Sequence, residues 1–299
     1  MPASAQPSSP PPPGVGSKVV SETLAPAPAK KNKAGRDLKA AITAALVLGV
    51  LVLASLLIRK EAFVVLATAA SVVGTRELLM AMPPAKFRPP WIPALASAAV
   101  IPVAAYLLGP SAMLAALVGS VLVFIVWGAA SNRLAPDTAS AALIALYVPA
   151  LVSFAMMLLH ADDGVSRIIT FILVTIGSDI GGYVAGVLFG KHPMAPTVSP
   201  KKSWEGFAGS ALTCSLVGAI TIPLTFETGQ WWHGALLGLV VAPVATIGDL
   251  VESSIKRDLR IKDMSNILPG HGGLMDRLDS LALVAPVVWA ALRLISPVS

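Results

Sequence analysis

The stretch that decides the reading runs from Gly248 to Asp279, GDLVESSIKRDLRIKDMSNILPGHGGLMDRLD. The chain is 55% hydrophobic and only 13% charged, yet after Asp249 this segment carries five acidic and five basic side chains, and it lies between two apolar runs. Asp249, Glu252, Ser253 and Lys256 are spaced i, i+3, i+4 and i+7, so a helix continuing past Asp249 would present them on one face, as oxygen ligands beside a cation. Pro269, Gly270, Gly272 and Gly273 surround His271 in a loop able to expose backbone N–H groups. The helix expected from about Leu274 has an N-terminus that favours anions, and a phosphate is the expected guest there. Asp276 and Asp279 follow at i and i+3, with Arg277 directed to another side. Carboxylates on two helices, with cations between them, suit a divalent ion bound through phosphates, because Mg²⁺ usually takes only one or two protein carboxylates.

The composition excludes a soluble globular domain. Over 299 residues the mean hydropathy is +0.77, and a charged fraction of 13% is about half the usual one. The chain reads as an integral membrane protein. Its single cysteine, Cys214, lies in an apolar run and reads as a small core residue; no intrachain disulfide is possible. The formal charge of +6 is better read by position along the chain than as a nucleic-acid signal. Residues 1–39 hold eight prolines and no apolar run, and read as a disordered cytoplasmic tail rather than a signal peptide. Lys30, Lys31, Lys33, Arg36 and Lys39 close that tail and favour an N-terminus on the cytoplasmic side.

Residues 40–299 form the expected membrane domain. Nine apolar runs, at about 40–58, 62–82, 91–108, 112–131, 139–160, 167–189, 207–226, 232–251 and 278–296, each approach the ~20 residues a helix needs to cross a bilayer. With the N-terminus inside, the tail and the even-numbered connections hold 17 of the 22 Lys and Arg residues, against Arg59, Lys60 and Arg167 on the other side. The positive-inside rule then puts both charged loops in the cytoplasm and the C-terminus outside. Trp91, Trp127, Trp204, Trp231 and Trp232 fall near span ends, as interfacial anchors do. Asp179, within Gly177–Tyr183, is a polar residue inside a span, serving either as an internal pair that holds the bundle or as part of a polar cavity. Arg76 and Glu77 read as a local ion pair or interfacial anchor, with a substrate contact as the alternative.

The run Ser253-x-Ile255-Lys256-Arg257, then Lys262-Asp263, then His271-Gly272-Gly273-Leu274-x-Asp276-Arg277-Leu278-Asp279 resembles the signature of the phosphatidate cytidylyltransferases, or CDP-diacylglycerol synthases. Ser199-Pro200-Lys201-Lys202-Ser203-Trp204-Glu205-Gly206 is similar to that family's second motif, with Ser203 where Thr is common. The resemblance implies an all-α, polytopic enzyme of about nine transmembrane helices with a cytoplasm-facing polar cavity, which makes CDP-diacylglycerol and pyrophosphate from CTP and phosphatidic acid.

Carried onto this chain, the expected catalytic set is Asp249, Asp276, Lys256 and Arg277. Substrate contacts are expected from Asp179, Ser199, Lys201, Lys202, Ser203, Glu205, Ser253, Arg257, Lys262, His271, Gly272 and Gly273. His271 either touches phosphate or orients a carboxylate. Asp249 and Asp276 are the expected Mg²⁺ ligands, with Asp279 and Glu252 as weaker candidates and a second ion, K⁺ included, allowed for. The expected partners are CTP, phosphatidic acid and the bilayer of the inner or plasma membrane, without nucleic acid and with a homodimer left open. Two rivals are a CTP-dependent polyprenol kinase, sharing fold and some basic motifs, and a transporter, which would explain the intramembrane Asp179 but tends to show repeated halves, whereas the signature is not duplicated here.

Overall fold

Every apolar run expected to be a helix is one. In this computed structural model the described residues are 34–83, 86–132, 135–265, 267 and 272–296. They form nine helices, α1 Ala34–Ile58, α2 Lys60–Ala81, α3 Trp91–Leu108, α4 Pro110–Ala130, α5 Ala135–His160, α6 Gly164–Phe189, α7 Trp204–Thr225, α8 Trp231–Asp258 and α9 Met275–Ile295. The last eight are long and apolar enough to cross a membrane; among its described residues α1 contributes a shorter apolar stretch, Leu46–Ile58. Helix α1 starts ahead of the boundary expected at residue 40, and the disorder expected of the tail concerns residues that, up to 33, lie outside the described ones.

Where these helices break their regular pattern, the cause is local. α5 contains a π-helical turn, Leu146–Ala150, built around Pro149; the ring removes one ladder N–H and crowds the preceding turn, so the backbone widens there. Ser153 donates its hydroxyl to the Pro149 carbonyl at 2.6 Å. α8 spans 28 residues, about 42 Å at 1.5 Å per residue, well beyond the ~30 Å hydrocarbon thickness. Its charged C-terminal turns therefore extend past the apolar stretch, so Asp249, Glu252, Ser253 and Lys256 do share one continuous helix.

An element absent from the expected all-helical picture lies between α6 and α7. Strands β1, Pro193–Ala195, and β2, Ser199–Ser203, pair antiparallel, and β2 carries Lys201 and Lys202. Trp204 N–H donates to the His192 carbonyl at 3.0 Å, joining the hairpin to the start of α7.

The helices that frame the site pack in sequence, α6 on α7, α7 on α8, and α8 on α9. Small residues permit this approach. A Cβ on Gly234 of α8 would lie 1.9 Å from the Gly218 carbonyl oxygen of α7, and one on Gly218 would lie 2.1 Å from the Gly234 oxygen. Ser178 of α6 and Ser210 of α7 share a buried hydrogen bond of 2.6 Å, and Cys214 donates to the Val174 carbonyl at 3.3 Å. Gly234→Ala is thus expected to push α7 and α8 apart and cost about 1–3 kcal/mol, read as a lower unfolding midpoint in detergent. An unchanged midpoint would mean the two backbones are not in this close contact.

Candidate active site

A cavity of about 530 Å³ opens between α6, the hairpin and the facing ends of α7, α8 and α9. It gathers the two charged segments, far apart in sequence, onto one wall. Asp179 of α6, Ser199, Lys201, Lys202 and Ser203 of β2, Asp249, Glu252, Ser253 and Lys256 of α8, and Asp276, Arg277 and Asp279 at the start of α9 all line it. Arg277, expected on another side of its helix, lines the cavity beside its two aspartates; it sits in the first turn, where a long side chain can reach the opening. Glu205, Arg257, Lys262, Gly272 and Gly273 do not line it, and His271 lies outside the described residues.

Residues off the wall hold the surrounding backbone. Glu205 accepts the N–H groups of Lys191 (3.1 Å) and His192 (3.2 Å) and contacts His192 Nδ1 at 2.5 Å, which ties the segment entering the hairpin to α7. Ser203 lines the cavity and also caps α7, its hydroxyl accepting Gly206 N–H at 3.1 Å, a standard N-cap bond. Arg257 Nε donates to the Val198 carbonyl of the hairpin turn at 3.4 Å.

Two lysines organise the acidic groups. Lys202 pairs with Asp249 and also donates to the Thr246 carbonyl at 3.4 Å, linking the hairpin to α8. Lys256 bridges Glu252 (2.5 Å, one turn away on α8) and Asp276 Oδ1 (2.9 Å, on α9). Its side chain is 17% exposed, that of Glu252 1% and that of Asp276 5%, so this bridge works away from bulk water. The second oxygen of Asp276 accepts Gly273 N–H at 2.7 Å and Met264 N–H at 3.0 Å.

Among the described residues, the N–H groups at the start of α9, expected to cradle a phosphate, are already taken by these contacts. Gly273 N–H is used by Asp276, and the N–H groups of Leu274 and Met275 donate to Glu77 of α2 at 3.0 and 2.7 Å. The positive helix end is occupied by protein carboxylates, for the same electrostatic reason that would favour phosphate. Arg76 is exposed, and among the described residues no ion pair joins it to Glu77.

The wall carries six carboxylates, those of Asp179, Asp249, Glu252, Asp263, Asp276 and Asp279, against four cations, Lys201, Lys202, Lys256 and Arg277. A polyphosphate entering this net-negative space needs additional positive charge. Glu252 Oε1 is buried with no hydrogen-bond partner, an arrangement that is costly unless a cation or donor completes it. Among the described residues no three His, Cys, Asp or Glu side chains converge to hold an ion unaided, so an ion bound here would need further ligands such as phosphate oxygens. The unpartnered Glu252 oxygen among these carboxylates is compatible with a divalent cation.

Asp263, Thr246, Tyr183, Phe207 and Met194 also line the cavity and were not among the expected contacts. Asp263 stands inside the quoted signature and was within reach of the sequence; the others are apolar or lone hydroxyl residues with no signal of their own.

A sequence model described as the cytidylyltransferase family matches residues 39–295. The chain belongs to this family. It is 40% identical over 280 residues to the phosphatidate cytidylyltransferase of Mycobacterium bovis, covering 88% of this chain and 91% of that protein. The Mycobacterium leprae protein of the same name is 39% identical over 285 residues, covering 88% and 90%, and that of Pseudomonas aeruginosa is 43% identical over 129 residues, covering 42% and 48%. Every cavity-lining residue of this cytidylyltransferase lies within the matched region.

Proposed function

We infer that this membrane enzyme transfers the cytidylyl group of CTP to phosphatidic acid, giving CDP-diacylglycerol and pyrophosphate. The observation that carries the reading is the single cavity in which both motif segments meet, within a chain about 40% identical over 88% of its length to a protein named for this reaction. A phosphate oxygen of the lipid attacks the α-phosphorus of CTP, the bond from that phosphorus to the β-phosphate oxygen breaks, and pyrophosphate leaves. The attacking group is already an anion, so no strong general base is required. The protein's work is positioning and charge neutralisation.

Lys201, Lys202 and Arg277, which all line the cavity, hold the triphosphate and the lipid headgroup as point charges and forked donors. Lys256, fixed between Glu252 and Asp276, keeps the α8 and α9 carboxylates at a set spacing. Mg²⁺, when bound, supplies the positive charge that lets phosphates enter among carboxylates. Asp249 and Asp276 would hold it, with Asp279 and Glu252 as further ligands and room for a second ion such as K⁺.

The cavity faces the cytoplasm in this reading, with the N-terminus inside and the C-terminus outside the cell membrane. The charge asymmetry of the loops supports this orientation, and the few cations of the opposite end have local work. Lys60 donates to the carbonyls of Ala161 and Asp162 at 2.7 and 3.0 Å, and Arg167 pairs with Asp163 and donates to the Ser296 carbonyl at 2.7 Å. With γ-labelled CTP, the label is expected in aqueous pyrophosphate and not in lipid. Label in a chloroform-soluble product would make the enzyme a lipid kinase instead.

A further inference from the structure

The start of α9, which presents Asp276, Arg277 and Asp279 to the cavity, is held by a residue from a helix that carries no motif. Glu77 of α2 is 1% exposed. Its Oε1 accepts the Ser265 hydroxyl at 2.5 Å and Leu274 N–H at 3.0 Å, and its Oε2 accepts Met275 N–H at 2.7 Å. Ser265 Oγ in turn accepts Ile267 N–H at 3.2 Å. These donors lie on both sides of residues 268–271, so one carboxylate ties the two ends of the glycine-rich loop to the entry of α9.

The loop's own sequence fits this arrangement. A Cβ on Gly273 would lie 2.9 Å from both Glu77 oxygens, and one on Gly272, whose φ is +81°, would lie 2.8 Å from Asp276 Oδ2. Two carboxylates thus divide the first N–H groups of the helix. Asp276 Oδ2 takes Gly273 from the cavity side, and Glu77 takes Leu274 and Met275 from the other. With Oδ2 fixed in this way, Oδ1 of Asp276 is the oxygen presented to Lys256.

We propose that Glu77 is a positioning residue for the reaction, fixing the first turn of α9 and through it the direction of the Asp276 carboxylate. Glu77 does not line the cavity, so its effect passes through Asp276. The proposal rests on the reading of Asp276 as a working carboxylate of the site.

The test is a double-mutant cycle on full-length protein in detergent with Glu77→Gln, Asp276→Asn and the pair. Its readouts are Mn²⁺ affinity by electron paramagnetic resonance, hydrogen exchange at Leu274 and Met275, and kcat with KM for CTP. Gln puts an NH₂ where one of three donors now points. Faster exchange at those amides, and a loss of Mn²⁺ affinity and of kcat of roughly ten- to a hundredfold, are expected. In the Asp276→Asn background, Glu77→Gln should leave Mn²⁺ affinity unchanged, because the route it acts through is already gone.

A Glu77→Gln protein with a lower unfolding midpoint but wild-type Mn²⁺ affinity and kcat would overturn the proposal and leave the site reading standing. Asp276→Asn protein with wild-type affinity and turnover would overturn the site reading, and the proposal with it. Where Glu77→Gln does not fold, Ser265→Ala takes its place in the cycle; it removes one donor to the same carboxylate and should weaken Mn²⁺ binding in the wild-type background alone. Equal effects in both backgrounds would count against the proposal.

Discussion

Asp276→Asn is expected to lower cytidylyl transfer by roughly a hundred- to a thousandfold, the usual scale for losing one preorganised electrostatic group, because a carboxylate that would hold the charge-neutralising Mg²⁺ is lost, while the protein still folds. The structure gives the reason for both halves. Asp276 Oδ2 accepts two backbone N–H groups, from Gly273 and Met264, and the asparagine oxygen can keep both. Its NH₂ then faces Lys256, a donor against a donor, where Oδ1 now accepts at 2.9 Å. The loop and helix start are preserved, but the negative charge and the contact with Lys256 are lost. Steady-state transfer in detergent, beside an unfolding curve, checks this; a well-folded variant with near-normal turnover would remove Asp276 from the reaction.

Lys256→Met should have the largest effect on stability. It leaves the side chains of Glu252 and Asp276, 1% and 5% exposed, without the cation that bridges them. Removing one partner from a buried charged set costs about 3–5 kcal/mol, because the charges left behind stay desolvated. Most of that loss should return in the double variant Lys256→Met with Glu252→Gln, which removes the excess charge from α8, while turnover stays lost in both. A double variant no more stable than the single one, by thermal unfolding in the same detergent, would show that the bridge is not the source of the cost.

The helices were legible because the signal is coarse. A run of about 20 apolar residues has few alternatives to a spanning helix, and the charges between runs mark which ends lie together. The cavity wall was legible for a related reason, since side chains at i, i+3, i+4 and i+7 on α8 share a face wherever the helix goes. The hairpin was not, because three residues containing Pro193 and five containing Pro200 and two lysines carry no alternation that reads as a strand. Glu77 was misread because an acid beside Arg76 in an apolar run suggests a local pair, whereas its partners lie 188 to 198 positions away. Its capture of the Leu274 and Met275 N–H groups also takes up donors that the sequence suggested for a phosphate. Glu205 and Arg257 stand inside charged motifs but turn to the hairpin backbone, a distinction of side-chain direction that spacing alone does not encode.

Phosphatidic acid and CTP are expected to react in the cavity formed by α6 to α9 and the hairpin. Its most direct test is transfer of α-labelled CTP into chloroform-soluble lipid by purified protein supplied with phosphatidic acid and Mg²⁺, with Asp249→Asn protein alongside. Asp249 lines the cavity and pairs with Lys202 of the hairpin, so label should enter lipid with the unaltered protein, stop on chelation, and be nearly absent with the variant. Equal transfer by both proteins would place the chemistry elsewhere in the molecule.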